Sequence, residues 1–206
     1  ARFVKQGGGV LELTSDSSTF TGVTRGFAEV QDGTFMVNGT FRSNNATGAP
    51  TDGLTVLSPA TLGGNGTVYL APRTADVQGT INPGDPLTTG GIGSLDILGD
   101  TTLSGTLLVE MLGSSSDQLN ITGDFTLNSA TLEVAGLASK GTYTIVTFTG
   151  SLLGDSVFAT ENLPELVTIS YNPNSITLTI IPEPASLLLL GSGSVFIVGR
   201  RRRWST

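Results

Sequence analysis

Four carboxylates crowd the middle of the chain: Asp96, Asp100, Asp117 and Asp124. Two carboxyl groups held at a fixed separation can protonate a leaving group and activate a water or act as nucleophile, which is the chemistry of glycoside hydrolysis. A lyase acting on a uronate chain also needs clustered Lys or Arg beside its acids. The basic residues before the C-terminus are only Arg2, Lys5, Arg25, Arg42, Arg73 and Lys140, and they are scattered. Asp100 and Asp124 follow Gly99 and Gly123, where a turn itself favours Asp. The turn reading therefore outweighs the catalytic one.

The chain has no Cys and no His, which excludes disulfides, thiol nucleophiles, Cys/His zinc clusters and imidazole bases. Gly90-Gly91-Ile92-Gly93-Ser94-Leu95-Asp96 approaches a calcium-binding Gly-Gly-x-Gly-x-Asp pattern, but Leu95 fills the ligand position and Asp96 comes one residue late. Gly63-Gly64-Asn65-Gly66-Thr67 is a poor phosphate loop, with no Lys behind it. No catalytic residue, metal ligand or cofactor is assigned on these grounds. Thr19-Phe20-Thr21, Thr142-Tyr143-Thr144, Thr147-Phe148-Thr149 and Thr177-Leu178-Thr179 each put two threonines on one side of a strand. In register on a flat face they would bind ice or a sugar surface; their irregular spacing favours plain β-propensity. Asn38, Asn45, Asn65 and Asn120 open Asn-x-Thr sequons.

The elements that position these residues are short strands. Val10–Leu13, Thr34–Val37, Thr106–Val109, Thr131–Val134, Thr142–Val146 and Ser175–Ile180 alternate apolar and polar residues between turn-forming ones. No run at helical period interrupts residues 1–180. Leu95-Asp96-Ile97-Leu98-Gly99-Asp100-Thr101-Thr102-Leu103 overlays Leu119-Asn120-Ile121-Thr122-Gly123-Asp124-Phe125-Thr126-Leu127 at an offset of 24, and Thr106–Val109 overlays Thr131–Val134 at 25. A period in the twenties suits one rung of a β-solenoid, which buries its inward side chains only by stacking on the next rung. Gly-Thr pairs at 33–34, 39–40, 66–67, 79–80, 105–106 and 141–142 predict rung corners. The expected fold is all-β, a right-handed parallel β-helix followed by a short C-terminal hydrophobic helix. Residues 1–181 form the body. Within it 43–62 is expected as a lateral loop and 63–181 as further rungs, with 83–94 as a second loop.

Pro182 marks the one firm boundary. Ala185–Val198 carries no charge, and Arg200, Arg201, Arg202 and Arg203 follow it. Fourteen helical residues span about 21 Å, short of the roughly 30 Å hydrocarbon core. The arginines would stay at the cytoplasmic face, leaving the body outside. They also conceal the charge of the body. The whole chain is at −7, but residues 1–182 hold 6 basic and 16 acidic side chains, a net of −10, which argues against nucleic acid as a partner. Gly, Thr and Ser together supply 78 of 206 residues, the composition of a low-charge, small-residue, β-leaning chain.

Two stretches carry resemblances. Ile181-Pro182-Glu183-Pro184, the apolar span 185–199 and Arg200–Arg203 together resemble the PEP-CTERM sorting signal of exported Gram-negative proteins. This module is also labelled the C-terminal domain of ice-binding proteins. The resemblance implies Sec-dependent export, an inner-membrane intermediate, processing by an exosortase near Pro182, Glu183 and Pro184, and association with exopolysaccharide. It makes 182–206 a sorting signal with a transmembrane segment at 185–199. Ala1-Arg2-Phe3-Val4-Lys5 is no signal peptide, so the chain reads as the mature-side part of a longer exported protein. Gly9-Val10-Leu11-Glu12-Leu13, Thr19–Thr24 and Val30–Gly39 are similar to the autotransporter-associated β-strand repeat, with Ser17 in place of its Asn, Ser18 inserted and Ser15 in place of a Gly. That likeness, over 1–42, implies a parallel β-helix in a surface protein. The function expected from all this is that of an exported, non-catalytic surface or matrix protein. The rivals are a fragment of a carbohydrate-active β-helix enzyme and an ice-binding protein.

Overall fold

The computed structural model describes residues 2–15, 27–43, 53–164 and 166–181. Twenty strands and no helix occupy them. The expected C-terminal helix at 185–199 lies outside the described residues, as do Thr19-Phe20-Thr21 and Asn45.

The strands form a coil of three faces. Face A stacks Thr40–Arg42, the first part of Thr67–Val77, the first part of Ser94–Leu103, Gln118–Thr122 and Gly141–Phe148, each parallel to the next. Face B stacks Arg2–Lys5, Phe27–Val30, Leu54–Val56, the second parts of Thr67–Val77 and Ser94–Leu103, Phe125–Leu127 and Leu152–Gly154. Face C stacks Val10–Leu13, Thr34–Val37, Thr61–Gly64, Thr80–Pro83, Thr106–Gly113, Thr131–Ala138 and Thr160–Asn162. The chain visits A, B and C in turn and then rises one rung, which makes the body a β-solenoid. The repeat read from the sequence is a true rung. Leu95 pairs with Leu119 and Thr101 with Phe125 at offset 24, and Thr106 pairs with Thr131 at 25.

Alternation sends every second residue inward, where like stacks on like. Val30, Val56, Val77, Leu103 and Leu127 form one inward file of face B, and Phe35, Leu62, Ile81, Leu107 and Leu132 form one of face C; all are buried. Toward the N-terminal end one phenyl ring from each face fills the cross-section. Phe3, Phe35 and Phe41 lie with centroids 5.2–5.6 Å apart.

Two expectations are corrected. The segment 43–62, expected as a lateral loop, supplies the ladder strands Leu54–Val56 and Thr61–Gly64; residues 44–52 of it lie outside the described residues. The last part of 63–181 is not another parallel rung. Val167–Asn172 and Ser175–Ile180 form an antiparallel hairpin, and Ser175–Ile180 also pairs antiparallel with Gly141–Phe148. The physical reason is the short connection Pro173-Asn174, which can only reverse the chain. Ile176 and Leu178 still point inward and are buried, so the hairpin caps the stack. The loop expected at 83–94 is present between Thr80–Pro83 and Ser94–Leu103.

Glycine at the corners answers to crowding by the rung below. A Cβ on Gly105 would collide with the carbonyl oxygen of Gly79, one on Gly79 with that of Ala60, and one on Gly66 with that of Gly39. A Cβ on Gly9 would meet nothing within 4 Å. Gly105→Ala is therefore expected to lower stability by about 3 kcal/mol, and Gly9→Ala by less than about 0.5 kcal/mol. Urea unfolding followed by circular dichroism measures both.

Candidate functional site

Asp100 and Asp124 stack in successive rungs, as the repeat requires, and their carboxylates work as stitches. Asp100 Oδ1 accepts the Asp124 N–H at 2.9 Å, and Asp124 Oδ1 accepts the Ser151 N–H at 2.7 Å. Each acid satisfies a backbone donor of the next rung. Asn38 and Asn65 do the same at another corner. Asn38 Oδ1 accepts the Asn65 N–H at 2.9 Å, and Asn65 Oδ1 accepts the Ser94 N–H at 3.1 Å. The sequon reading of these residues concealed that role. The signal was in the sequence, because Asn-Gly-Thr stands at 38–40 and again at 65–67.

Among the described residues Asp117 is the most enclosed carboxylate, with no exposed surface. Its Oδ1 accepts the Gly93 N–H and its Oδ2 accepts the Glu110 N–H, both at 2.8 Å. Glu110 Oε1 in turn accepts the Gly90 N–H at 2.9 Å. The two acids clasp the 84–93 loop against the Thr106–Gly113 strand. Burial lifts the Asp117 carboxyl from 3.8 to about 6, with the nearby Glu110 charge adding to the effect, while the two N–H bonds act the other way. At the loop's far side Asp85 accepts the Thr88 hydroxyl at 2.7 Å and the Leu87 N–H at 3.0 Å, which lower its pKa. A cleft of about 510 Å³ opens beside this loop, lined by Asn65, Asp85, Gly90, Gly91, Ile92, Leu112 and Ser115. Among the described residues that line it there is one carboxylate and no Lys or Arg.

Asp96 belongs to a different arrangement. It lies on the outer side of face A, where its Oδ1 accepts the Asn120 amide at 2.9 Å; Asn120 also donates to Ser94 Oγ at 2.9 Å and accepts the Thr147 hydroxyl at 2.7 Å. Leu95, in the ligand position of the calcium-like pattern, is buried in the core. Among the described residues no group of three acidic side chains could hold a metal ion.

The threonines form one regular file that sequence spacing did not reveal. Thr34, Thr61, Thr80, Thr106, Thr131 and Thr160 stand in register on face C. Two residues along each strand the neighbouring file reads Met36, Gly63, Asn82, Leu108, Glu133 and Asn162, so there is no second threonine rank. Thr142 and Thr144, whose spacing favoured plain β-propensity, pair with Thr179 and Thr177 of the adjacent antiparallel strand Ser175–Ile180.

The C-terminal hairpin fixes where the tail departs. Ser175–Ile180 lies between two hydrogen-bonded neighbours, and the Ile181 N–H donates to the Leu166 carbonyl at 3.0 Å. The Tyr171 hydroxyl accepts the Phe158 N–H at 3.0 Å and donates to Glu161 at 2.7 Å, tying the last loop to the hairpin. Ile181, half exposed at 49%, is the last described residue.

Residues 181–203 match the family model of the PEP-CTERM protein-sorting motif. The match begins at the residue that follows the last strand of the solenoid. Such a motif directs export and processing by an exosortase in Gram-negative bacteria. Pro182, Glu183, Pro184 and Arg200–Arg203, the residues expected to carry the signal, fall within it and lie outside the described residues. No curated protein matches the chain. Among the described residues no helix is long and apolar enough to cross a membrane.

The Asp117 clasp gives a pH dependence of definite sign. The folded protein holds this proton up to about pH 6, whereas the unfolded chain releases it near the ordinary 3.8. The native state therefore binds more protons between these values, and this group's contribution to stability falls as pH rises through the window. In Asp117→Asn the amide has one acceptor for two N–H donors, which costs about 1–3 kcal/mol at pH 7.5. That deficit is expected to grow by on the order of 1–2 kcal/mol at pH 4.5. Urea midpoints of the two proteins at both pH values measure it.

Proposed function

We propose that the chain is an exported, non-catalytic surface or extracellular-matrix protein. Its body is a right-handed parallel β-helix with an adhesive or structural role, sorted by an exosortase through its C-terminal signal. The observation that carries this reading is the junction at Ile181. A capped solenoid ends in a strand hydrogen-bonded on both sides, and the sorting motif starts at once, without a linker. The span 185–199 holds the chain in the inner membrane with Arg200–Arg203 on the cytoplasmic side, and cleavage near Pro182–Pro184 frees the body for the cell surface or the exopolysaccharide matrix. The register supports the autotransporter-associated likeness, because Val10–Leu13 and Thr34–Val37 are stacked strands of adjacent rungs. Asp100 and Asp124 are engaged in backbone stitching, Asp117 in clasping a loop and Asp96 in holding Asn120, and the threonine file of face C has no second threonine rank beside it.

Expression in an exosortase-positive host and in its exosortase knockout tests the proposal. The expected result is loss of the C-terminal segment and release from the membrane in the first host, and an uncleaved, membrane-associated chain in the second. Pro182→Ala combined with Glu183→Ala should reproduce the knockout. The same mass and location in both hosts would contradict the sorting function.

A further inference from the structure

Face A differs from the other two in what it turns outward. Four successive rungs present three positions each: Asn38, Thr40 and Arg42; Asn65, Thr67 and Tyr69; Ser94, Asp96 and Leu98; Gln118, Asn120 and Thr122. Positions along a strand repeat at about 6.6 Å and rungs at about 4.8 Å, so the groups recur at regular intervals, with Asn38 and Asn65 at the corner that leads into the strands. Its groups are amides, hydroxyls, one carboxylate, one guanidinium, one phenol and the Leu98 side chain.

These side chains are held in place by one another. Asn120 bridges Ser94 and Asp96 with its two amide protons, and Thr147 donates to its carbonyl oxygen. Asn38 and Asn65 are fixed by the stitches to the next rung. The Arg42 guanidinium packs 5.1 Å from the centroid of the Tyr69 ring, which holds the ring in place beside the polar rows. Pre-set polar groups reduce the ordering cost of binding, and a few planar polar groups beside an aromatic ring suit a sugar's hydroxyls and its C–H face. At the Asn65 edge the grid runs into the cleft of about 510 Å³, whose wall adds Ser115, Ile92 and Leu112.

Charge selects among polysaccharides. The grid holds one negative and one positive side chain, and the body around it carries a net of −10. A uronate or sulfated chain would be repelled. A neutral chain meets no such barrier, and its repeating hydroxyls face donors and acceptors that recur at every rung.

We propose that face A binds a neutral polysaccharide along the solenoid axis through Tyr69, Asp96 and Asn120, with the cleft at Asn65 taking a chain end or branch. This rests on the surface-protein reading, and it supplies a ligand class for that surface.

Affinity electrophoresis of the full chain in native gels tests it, with hydroxyethylcellulose and galactomannan as neutral probes and alginate as the anionic one. At least one neutral polymer should retard the protein and alginate should not. Tyr69→Ala should weaken the retardation about tenfold, Tyr69→Phe should keep most of it, and Thr131→Ala on face C should leave it unchanged. Circular dichroism and Tm confirm that each variant folds. Migration unaffected by both neutral polymers, retardation by alginate equal to theirs, or wild-type retardation of folded Tyr69→Ala would each overturn the proposal. Because purified protein is used, such a failure leaves exosortase-dependent sorting standing, and a sorting failure leaves the binding result standing.

Discussion

Everything in this molecule depends on one rung covering the next. A single rung cannot bury its own inward side chains, since a strand's inner residues are shielded above and below only by the neighbouring strands of the stack. The inward file of face C shows the effect directly. Leu11, on the first rung, is 40% exposed, whereas Phe35, Leu62, Ile81, Leu107 and Leu132 above it are buried. At the other end of the same file stands Glu161, paired with Leu132 and exposed. Burial here is a property of position in the stack, and the hydrophobic driving force holds the register in place.

The same closeness that buries the core dictates the corners. Carbonyl oxygens of one rung approach the corner of the next so closely that Gly39, Gly66, Gly79 and Gly105 have no room for a Cβ. The backbone donors thrown out of the ladder at such corners need other partners, and Asn38, Asn65, Asp100 and Asp124 supply them. Asn38, Asn65, Asp100 and Asp124, which resemble glycosylation sites and catalytic acids in the sequence, thus have a structural role in the coil. Other outward positions are released from this duty, and there faces C and A diverge: a threonine file on face C, a polar grid on face A.

The parts legible in the sequence were those governed by the stacking repeat. The overlay of 95–103 on 119–127 gave both the period and the register, because the same inward and outward pattern must recur where rungs pair. What escaped was governed by other physics. Leu54–Val56 and the start of Thr61–Gly64 read as part of a lateral loop because Asn, Gly, Pro and Asp crowd 44–53, whereas both strands pair in the ladders. The terminal hairpin escaped because Ile176 and Leu178 alternate with polar residues alike in parallel and antiparallel sheets; only Pro173-Asn174 carried the direction. The Asp117 clasp had no local signal, since its partners Gly93 and Glu110 come from different segments. The sorting motif was the clearest feature, being read by composition and order and not by packing.

The in-register stack can be tested in a chain that has no native cysteine. Thr102 and Thr126 face outward on adjacent rungs as direct partners, at a separation that suits a disulfide. Thr102→Cys with Thr126→Cys should oxidise rapidly and nearly completely in the native protein, while Thr102→Cys with Ser129→Cys should not. Equal rates for the two pairs, or no cross-link in the first, would contradict the rung register on which the account rests.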